Sequence, residues 1–510
     1  MIIHKNKDII LPLSLFLLTI LSRIPFTSKF LYSWDSVQFA LALEKYDITV
    51  HQPHPPGYFL YVMLGRLINL FIKDANSTFI SISILFSGFA VVAVYYLGKE
   101  IFDKKIGILA ALIALTSPNL WFHGEVALTY VVEAFFSSFV ALLCWRILKG
   151  EHKYLWLSVV ALGIAGGIRQ NTIVFLFPLW LFSVKGVPLK KIFASLGLLG
   201  IICLCWFVPM VWMTGGWNAY QEAFREYRMF VIGHFSVFEK GWDSFKIFSL
   251  SLFRHLIYGL WAGIIILGLA VYSLIRHGRL KSLERNKVLF FSLWMLPSVF
   301  FYLMILYHPA SYGYVLILLP ALFILTTVSI KYISAEFKEI LKKDLYFSIA
   351  SVLIILSAFS FFLLKFPVSY TEIRNHDRNL SIILDGIKEF NPENTAIFVE
   401  PYIHYGFRHI MYYLPAYYVY DVDFRISPSG EKRKAFWGIN KATHLTDSII
   451  MPERISTFVA PYISDQIDKL NMKKVLTIKK TVDTNLYIIS GDIQIIKRLF
   501  PQLNVQFHQQ

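Results

Sequence analysis

Ionisable side chains cluster just after the first apolar segment of the chain. Asp35 follows Trp34, and His51 and His54 come a short distance later, directly before a Pro-Pro-Gly-Tyr run. Acids and imidazoles at a membrane boundary are costly to desolvate, so we treat them as functional candidates. A carboxylate in this setting can accept a proton from a hydroxyl as a general base. Asp35 also precedes an amphipathic run and would suit a helix N-cap, and both interpretations stay open.

Two arginines lie among apolar residues, where a cation needs an anionic partner. Arg169, followed by Gln170, occupies a tight turn between two short apolar segments. One interpretation is a structural ion pair with Glu125 or another acid. The other is phosphate binding, because a guanidinium fork matches phosphate oxygens. Arg66 is the weaker candidate, since its head group can also extend from an apolar helix to the interface.

The histidines raise the question of a metal site. His51 and His54 are three residues apart, but Pro53 and Pro55 exclude a regular helix between them. With an acid such as Asp35 or Glu125 they could ligate a divalent metal, yet two histidines without a fixed third ligand are a weak signal. We therefore predict no cofactor, and expect these histidines to form hydrogen bonds with substrate or backbone.

A polar loop further along the chain contains His308 and Tyr312. These side chains could bind a lipid phosphate or a sugar. The alternative is a place in the aromatic belt that membrane proteins carry at the interface.

The composition is that of a polytopic membrane protein. The chain has 510 residues, of which 56% are hydrophobic, and its mean hydropathy is +0.56. The net charge of +16 comes from basic residues in short loops between apolar segments. There they set orientation and meet anionic lipid head groups, so we exclude nucleic acid as a partner. The three cysteines lie in apolar runs, which disfavours a disulfide framework.

The apolar runs predict about eleven transmembrane helices, counted with a window of about 20 residues. The predicted spans cover residues 9–26, 79–98, 106–119, 127–148, 154–168, 171–184, 192–213, 249–275, 288–306, 314–330 and 345–364. Every second loop is basic, which predicts a cytoplasmic N-terminus and an outer location for everything after Leu364. Residues 57–72 are short for a span and contain Arg66, so we predict an interfacial or re-entrant helix within a first outer loop, residues 27–78. Residues 214–246 predict an amphipathic surface helix.

Two domains follow from a change of composition near residue 365. Residues 1–365 would form the transmembrane module, and residues 366–510 an extracytoplasmic α/β domain. Hydrophobic periodicity in this second domain predicts helices and strands. The predicted helices are 379–390 and 456–470, and the predicted strands are 396–400, 417–423, 474–478 and 486–490.

The order of these motifs resembles the GT-C fold, the polytopic glycosyltransferases that use lipid-linked sugars. The similarity is to protein O-mannosyltransferases and bacterial aminoarabinose transferases, and it covers about the first 180 residues. The matching motifs are Trp34-Asp35, His54-Pro55-Pro56-Gly57-Tyr58, the Leu-Gly-basic turn of residues 96–102, and Thr116-Ser117-Pro118.

The chain departs from the pattern of this superfamily in two places. Many relatives have an Asp-Glu pair at the first acid, whereas Asp35 is followed here by Ser36. Many also have an Asp after an Ala-Leu-Thr run, where this chain has Tyr130. Glu125 is then the nearest acid available for a second catalytic role.

The resemblance implies a polyprenyl-phosphate sugar donor, transfer at the outer membrane face, and inversion at the anomeric carbon. Asp35 would be the general base and Glu125 the second catalytic acid, while Arg169 would stabilise the charge on the leaving phosphate. The acceptor would be a hydroxyl of a protein, lipid or glycan, and the location a bacterial cytoplasmic membrane. The other substrate-binding candidates are Trp34, His51, His54, Tyr58, Arg66, Gln170, His308 and Tyr312.

Two other classes of protein compete with this interpretation. A lipid or solute transporter would usually show repeats and polar residues near the bilayer midplane, and we find no repeat here. A non-catalytic assembly or sensor protein would depend on the outer domain and not on Asp35.

Overall fold

The chain divides into two compact units. The computed structural model describes residues 2–389, 392, 395–399, 406–421, 454–459, 477–480 and 487–492. The first unit comprises residues 1–27 and 55–373, and the second comprises residues 28–54 and 374–510. Residues 28–54, which we predicted as part of the transmembrane module, therefore group with the C-terminal segment.

Helices make up nearly all of the first unit and part of the second. In chain order they are α1 (Ile2–Arg23), α2 (Trp34–Glu44), α3 (Phe59–Ile72), α4 (Ala75–Ile101), α5 (Lys104–Thr116), α6 (Pro118–Gly124), α7 (Tyr130–Leu148), α8 (Tyr154–Ile168), α9 (Asn171–Ser183), α10 (Leu189–Met213), α11 (Trp217–Phe235), α12 (Val237–Lys240), α13 (Trp242–Leu260), α14 (Gly263–Arg276), α15 (Arg285–Met304), α16 (Leu319–Leu341), α17 (Tyr346–Leu363), α18 (Tyr370–Lys388) and α19 (Phe407–Tyr413). Short 3₁₀ helices are η1 (Ile24–Phe26), η2 (Ile48–Val50), η3 (Arg279–Ser282) and η4 (Tyr312–Ile317).

The predicted multi-pass helical membrane fold is confirmed, but the count of eleven spans is not. Among the described residues, seven helices are long and apolar enough to cross a membrane, or up to nine if each of two bent pairs is one span. Each predicted segment coincides with a helix or a helix pair. However, α8 has 15 residues and α9 has 13, which is short for a bilayer.

Two segments that we predicted as single spans are broken helices. The segment 106–119 covers most of α5 and only the first two residues of α6, and these helices meet at 62°. The segment 249–275 divides into α13 and α14, which meet at 108°. The first break precedes Pro118, whose ring cannot continue a helix from the preceding turn. The second occurs at Trp261, whose φ is +50°.

Helix α3 confirms the short helix predicted for residues 57–72. It is 14 residues long and does not meet the length of a span. Leu67, Leu70 and Phe71 are exposed on it, whereas Arg66 is half-buried. An apolar exposed face on a short helix suits the predicted interfacial placement.

The second unit contains a five-stranded mixed sheet with the order β2-β1-β3-β5-β4. The strands are β1 (Thr395–Val399), β2 (Tyr418–Asp421), β3 (Arg454–Val459), β4 (Thr477–Lys480) and β5 (Tyr487–Asp492). Strand β1 pairs in parallel with β2 and β3, and β5 pairs antiparallel with β3 and β4. The predicted helix 456–470 is wrong at its start, because residues 456–459 lie in the central strand β3, and residues 460–470 lie outside the described residues.

Close packing of α4 against α5 depends on Gly107. A Cβ atom at this position would lie 2.5 Å from the Tyr95 carbonyl oxygen and 2.8 Å from the Lys99 backbone nitrogen. Backbone atoms cannot rotate away as a flexible side chain can, so an added methyl group would force the two helices apart.

We therefore expect Gly107→Ala to destabilise the protein by about 1–3 kcal/mol through overpacking. Gly197→Ala on α10 is the matched control, because a Cβ there meets nothing within 4 Å. The readout is the midpoint of thermal unfolding in detergent, followed by tryptophan fluorescence. A Gly107→Ala midpoint equal to that of Gly197→Ala would contradict this account of the packing.

Candidate functional site

Asp35 lies in the first turn of α2 but does not cap the helix. The N-cap is Ser33, whose Oγ accepts from the Ser36 backbone N–H at 3.4 Å, while the Ser36 Oγ accepts from the Ser33 N–H at 3.3 Å. This capping box occupies the cap position and leaves the carboxylate of Asp35 available for other contacts. The N-cap interpretation of Asp35 is therefore wrong, whereas its role as a base stays a prediction.

Asp35 lies beside His54. The Asp35 Oδ1 lies 3.6 Å from the His54 Nδ1, and the Asp35 side chain is 39% exposed while that of His54 is 10% exposed. His54 is held by Gln38, whose Oε1 lies 2.6 Å from Nδ1 and also accepts from the His54 backbone N–H at 3.2 Å. An amide oxygen only accepts, so His54 carries its proton on Nδ1. The imidazole is fixed and the carboxylate beside it remains accessible.

His51 is buried in the same unit and terminates η2 in the left-handed conformation, with φ at +54°. Burial, reinforced by the positive fields of His54 and Arg408, lowers the pKa of His51 well below its ordinary value. His51 is therefore neutral at physiological pH. Trp34, the first residue of α2, is half-buried.

Arg169 forms a buried ion pair in the first unit. Its Nε lies 3.4 Å from Oε2 of Glu133, and the two side chains are 8% and 0% exposed. Glu133 Oε1 also accepts from the Thr172 hydroxyl at 3.0 Å. The guanidinium lies over the rings of Tyr130 and Tyr314, at 4.6 Å and 5.4 Å from their centroids. Arg169 thus has the acidic partner that we predicted as one alternative, and that acid is Glu133 rather than Glu125.

Sequence reasoning did not identify Glu133 as a candidate. It is the lone acid of the apolar helix α7, in its first turn, and the cost of burying a charge there was a usable signal. The adjoining turn brings Gln170 into the same region, where its Nε2 donates to the Pro56 carbonyl at 3.0 Å. Tyr58 follows that carbonyl by two residues and interacts electrostatically with Arg169. Three predicted residues of the first unit, Tyr58, Arg169 and Gln170, are therefore brought together.

Glu125 belongs to a different buried cluster. Its Oε1 accepts from the Trp121 indole N–H at 2.6 Å. The guanidinium of Arg23 lies 4.1 Å from the Trp121 ring, interacts electrostatically with Glu125, and donates to the Leu115 carbonyl at 2.7 Å. Glu125 is fully buried, and this environment favours a structural role over direct contact with substrate. Arg23 was not identified from the sequence, although it lies within the predicted first span, residues 9–26.

The loop with His308 and Tyr312 packs around His255, a third residue that was not identified from the sequence. The Tyr312 ring centroid lies 4.8 Å from that of His255, and the Tyr307 hydroxyl forms a hydrogen bond with His255 Nδ1. His308 Nδ1 accepts from the Ala310 backbone N–H at 3.3 Å. A histidine within the long apolar segment 249–275 was the available signal for His255.

No three His, Cys, Asp or Glu side chains are grouped to hold a metal ion within the part of the chain that the structure describes. Among those residues, no third side chain joins His51 and His54 to form a metal site.

One part of the chain matches a known protein family. Residues 53–213 match the model of a family described as dolichyl-phosphate-mannose-protein mannosyltransferase. No curated protein sequence matches the chain. The transporter alternative is not taken further, because the matching family is one of transferases.

Solved structures match nearly the whole chain. ArnT from Cupriavidus metallidurans in the apo state matches with a TM-score of 0.58 at 13% identity, over 96% of this chain and 98% of that chain. ArnT from the same organism bound to undecaprenyl phosphate matches with a TM-score of 0.55 at 12% identity, over 96% and 99%. At this identity the match shows the fold, and the predicted GT-C-like fold is confirmed. Together with the family match, it confirms the predicted resemblance to GT-C glycosyltransferases with lipid-linked donors, and with it the predicted enzyme class.

Proposed function

We propose that this chain transfers a sugar from a polyprenyl-phosphate carrier to an acceptor hydroxyl at the outer face of a membrane, with Asp35 as the general base. The observation that carries the proposal is the placement of Asp35. Its carboxylate is 39% exposed and lies 3.6 Å from the nearly buried His54. It also occupies the first turn of α2, where the positive end of the helix dipole suits a carboxylate.

The proposed reaction is a single displacement. The acceptor oxygen attacks the anomeric carbon from the side opposite the phosphate, and Asp35 takes the hydroxyl proton. The bond between the anomeric carbon and the phosphate oxygen breaks, and its electron pair leaves with the phosphate. One displacement inverts the configuration at that carbon.

Two of the findings support the donor class. The matching family is described by a dolichyl-phosphate-mannose donor and a protein acceptor. One structure with the same fold holds undecaprenyl phosphate. Mannose is therefore the first sugar to test, and a protein, lipid or glycan hydroxyl is the acceptor.

The proposed location is the bacterial cytoplasmic membrane, with the N-terminus in the cytoplasm. The support is the alternation of basic loops along the sequence, which places positive charge on the cytoplasmic side. Residues after Leu364 then lie outside, as does the loop that contains Asp35.

Arg169 is the proposed cation for the leaving phosphate, with Glu133 as its fixed partner. A guanidinium presents five N–H donors, and the pair with Glu133 places Nε of Arg169 near the carboxylate at 3.4 Å. The aromatic rings of Tyr130 and Tyr314 hold the plane of the group. A positioned guanidinium needs little rearrangement to stabilise charge that develops on a phosphate. Arg66 and His308 are weaker candidates for the same role.

We expect Asp35→Asn to lower the rate of sugar transfer by about 10²–10⁴-fold, the usual contribution of a general base. The measurement is sugar release from undecaprenyl-phosphate mannose by the purified protein. Glu44→Gln, at the exposed far end of α2, is the matched control and should keep wild-type activity. Wild-type activity in Asp35→Asn would rule out the base assignment.

We expect substitutions of the two partners of the buried pair to differ in their effect on the affinity for a phosphate ligand. We expect Arg169→Gln to weaken undecaprenyl-phosphate binding at least about tenfold, because it removes a charge-assisted contact. Glu133→Gln removes a competing carboxylate and should bind at least as tightly as the wild type. The measurement is a binding titration with each variant in nanodiscs. Equal weakening in both variants would show that the pair is structural only.

A further inference from the structure

Helix α18 holds the start of the outer loop through one buried carboxylate. Asp377 accepts from the Ser28 hydroxyl at 2.9 Å and from the Lys29 backbone N–H at 3.0 Å. It also accepts from the Phe30 backbone N–H at 3.4 Å, and its side chain is 6% exposed. Two of these donors are backbone groups that need a partner when buried. Asp377 therefore fixes the path of the chain at residues 28–30, ahead of α2.

Helix α19 binds the next residue of the loop, Leu31. The Leu31 backbone N–H donates to the Tyr413 hydroxyl at 2.8 Å, and His409 Nε2 donates to the Leu31 carbonyl at 3.0 Å. The Tyr413 ring packs edge-on against Phe30 at 5.3 Å. Both backbone groups of Leu31 are thus bound by side chains of α19.

The same helix also holds the far side of the loop. Arg408 Nη2 donates to the Val50 carbonyl at 2.8 Å, and Arg408 is fully buried. Val50 directly precedes His51, and the chain then reaches His54, 3.6 Å from Asp35. The segment that leads into Asp35 and the segment that leads into His54 are therefore both tied to α18 and α19.

We infer that Asp377, Arg408 and Tyr413 are positioning residues for Asp35, so that the C-terminal segment sets the geometry of the proposed base. This inference rests on the proposed function of Asp35. Only three residues separate Leu31 from Asp35, and the capping box formed by Ser33 and Ser36 flanks Asp35 on both sides. A displacement of about 1 Å in a reacting group can lower the rate about 10²-fold. Loss of these hydrogen bonds would therefore lower the rate of transfer by displacing the Asp35 carboxylate.

Two variants with matched controls test the inference. Asp377→Asn replaces Oδ2 by an NH₂ group that only donates, although Oδ2 accepts from the Lys29 backbone N–H at 3.1 Å and lies 3.2 Å from Arg374 Nη2. Asp385→Asn on the same helix changes an acid that is 66% exposed. Tyr413→Phe removes only the hydroxyl that binds Leu31, and Tyr412→Phe makes the same change one residue earlier. Tyr413→Phe keeps the ring and its packing, so it retains the fold even if Asp377→Asn does not.

The readouts are amide hydrogen exchange in residues 28–36 and steady-state turnover of undecaprenyl-phosphate mannose by the full chain in detergent. We expect exchange to rise at least about tenfold in Asp377→Asn and Tyr413→Phe. We expect kcat to fall about 10- to 100-fold with KM changed less than about threefold, because the base is displaced while donor binding is kept. Both controls should match the wild type.

Exchange in both variants equal to that of their controls would overturn the inference, and this arm needs no sugar donor. Faster exchange with unchanged kcat would also overturn it, since the anchor would then not act on the reaction. The failure of the proposed function looks different. Full turnover by Asp35→Asn would remove the base assignment, whatever Asp377→Asn does.

Discussion

The cost of placing charge inside a membrane protein constrains the part of the first unit where α7 meets the turn between α8 and α9. Arg169 and Glu133 are both buried and lie 3.4 Å apart. Removal of one partner from such a pair typically costs about 3–5 kcal/mol, because the other charge is left uncompensated. The pair links α7 to the turn between α8 and α9, two helices too short to be fixed by bilayer length alone. The rings of Tyr130 and Tyr314 pack against the guanidinium of this pair.

In the second unit the main requirement is different: the backbone N–H and carbonyl groups of a loop must find hydrogen-bond partners. Residues 28–31 have little regular structure, and the side chains of Asp377, His409 and Tyr413 take the place of a hydrogen-bonded ladder. This arrangement leaves Asp35 accessible at the start of a capped helix. An accessible carboxylate on a rigid support is what general-base catalysis requires.

Much of this architecture could be predicted from the sequence, because hydrophobic periodicity marks apolar helices well. The bounds of α8 match the prediction, and those of α9 differ by one residue. The break at Trp261 was missed, since an apolar run does not reveal a bend, whereas the predicted span 106–119 ends one residue after the break at Pro118. The N-cap at Ser33 was also missed because Ser and Asp are both good caps, and only geometry distinguishes them. Neither the pairing of Arg169 with Glu133 nor the contacts of Asp377 could be predicted, since both join residues distant in sequence and no local pattern records them.

Sugar release from a panel of radiolabelled donors by the purified wild-type protein would show whether the leaving group is a lipid phosphate. The panel should contain undecaprenyl-phosphate sugars and the corresponding nucleotide sugars. We expect release from at least one undecaprenyl-phosphate sugar and from no nucleotide sugar, because the proposed leaving group is a lipid phosphate. Release from a nucleotide sugar alone, or from no donor in the presence of protein, lipid and glycan acceptors, would contradict it.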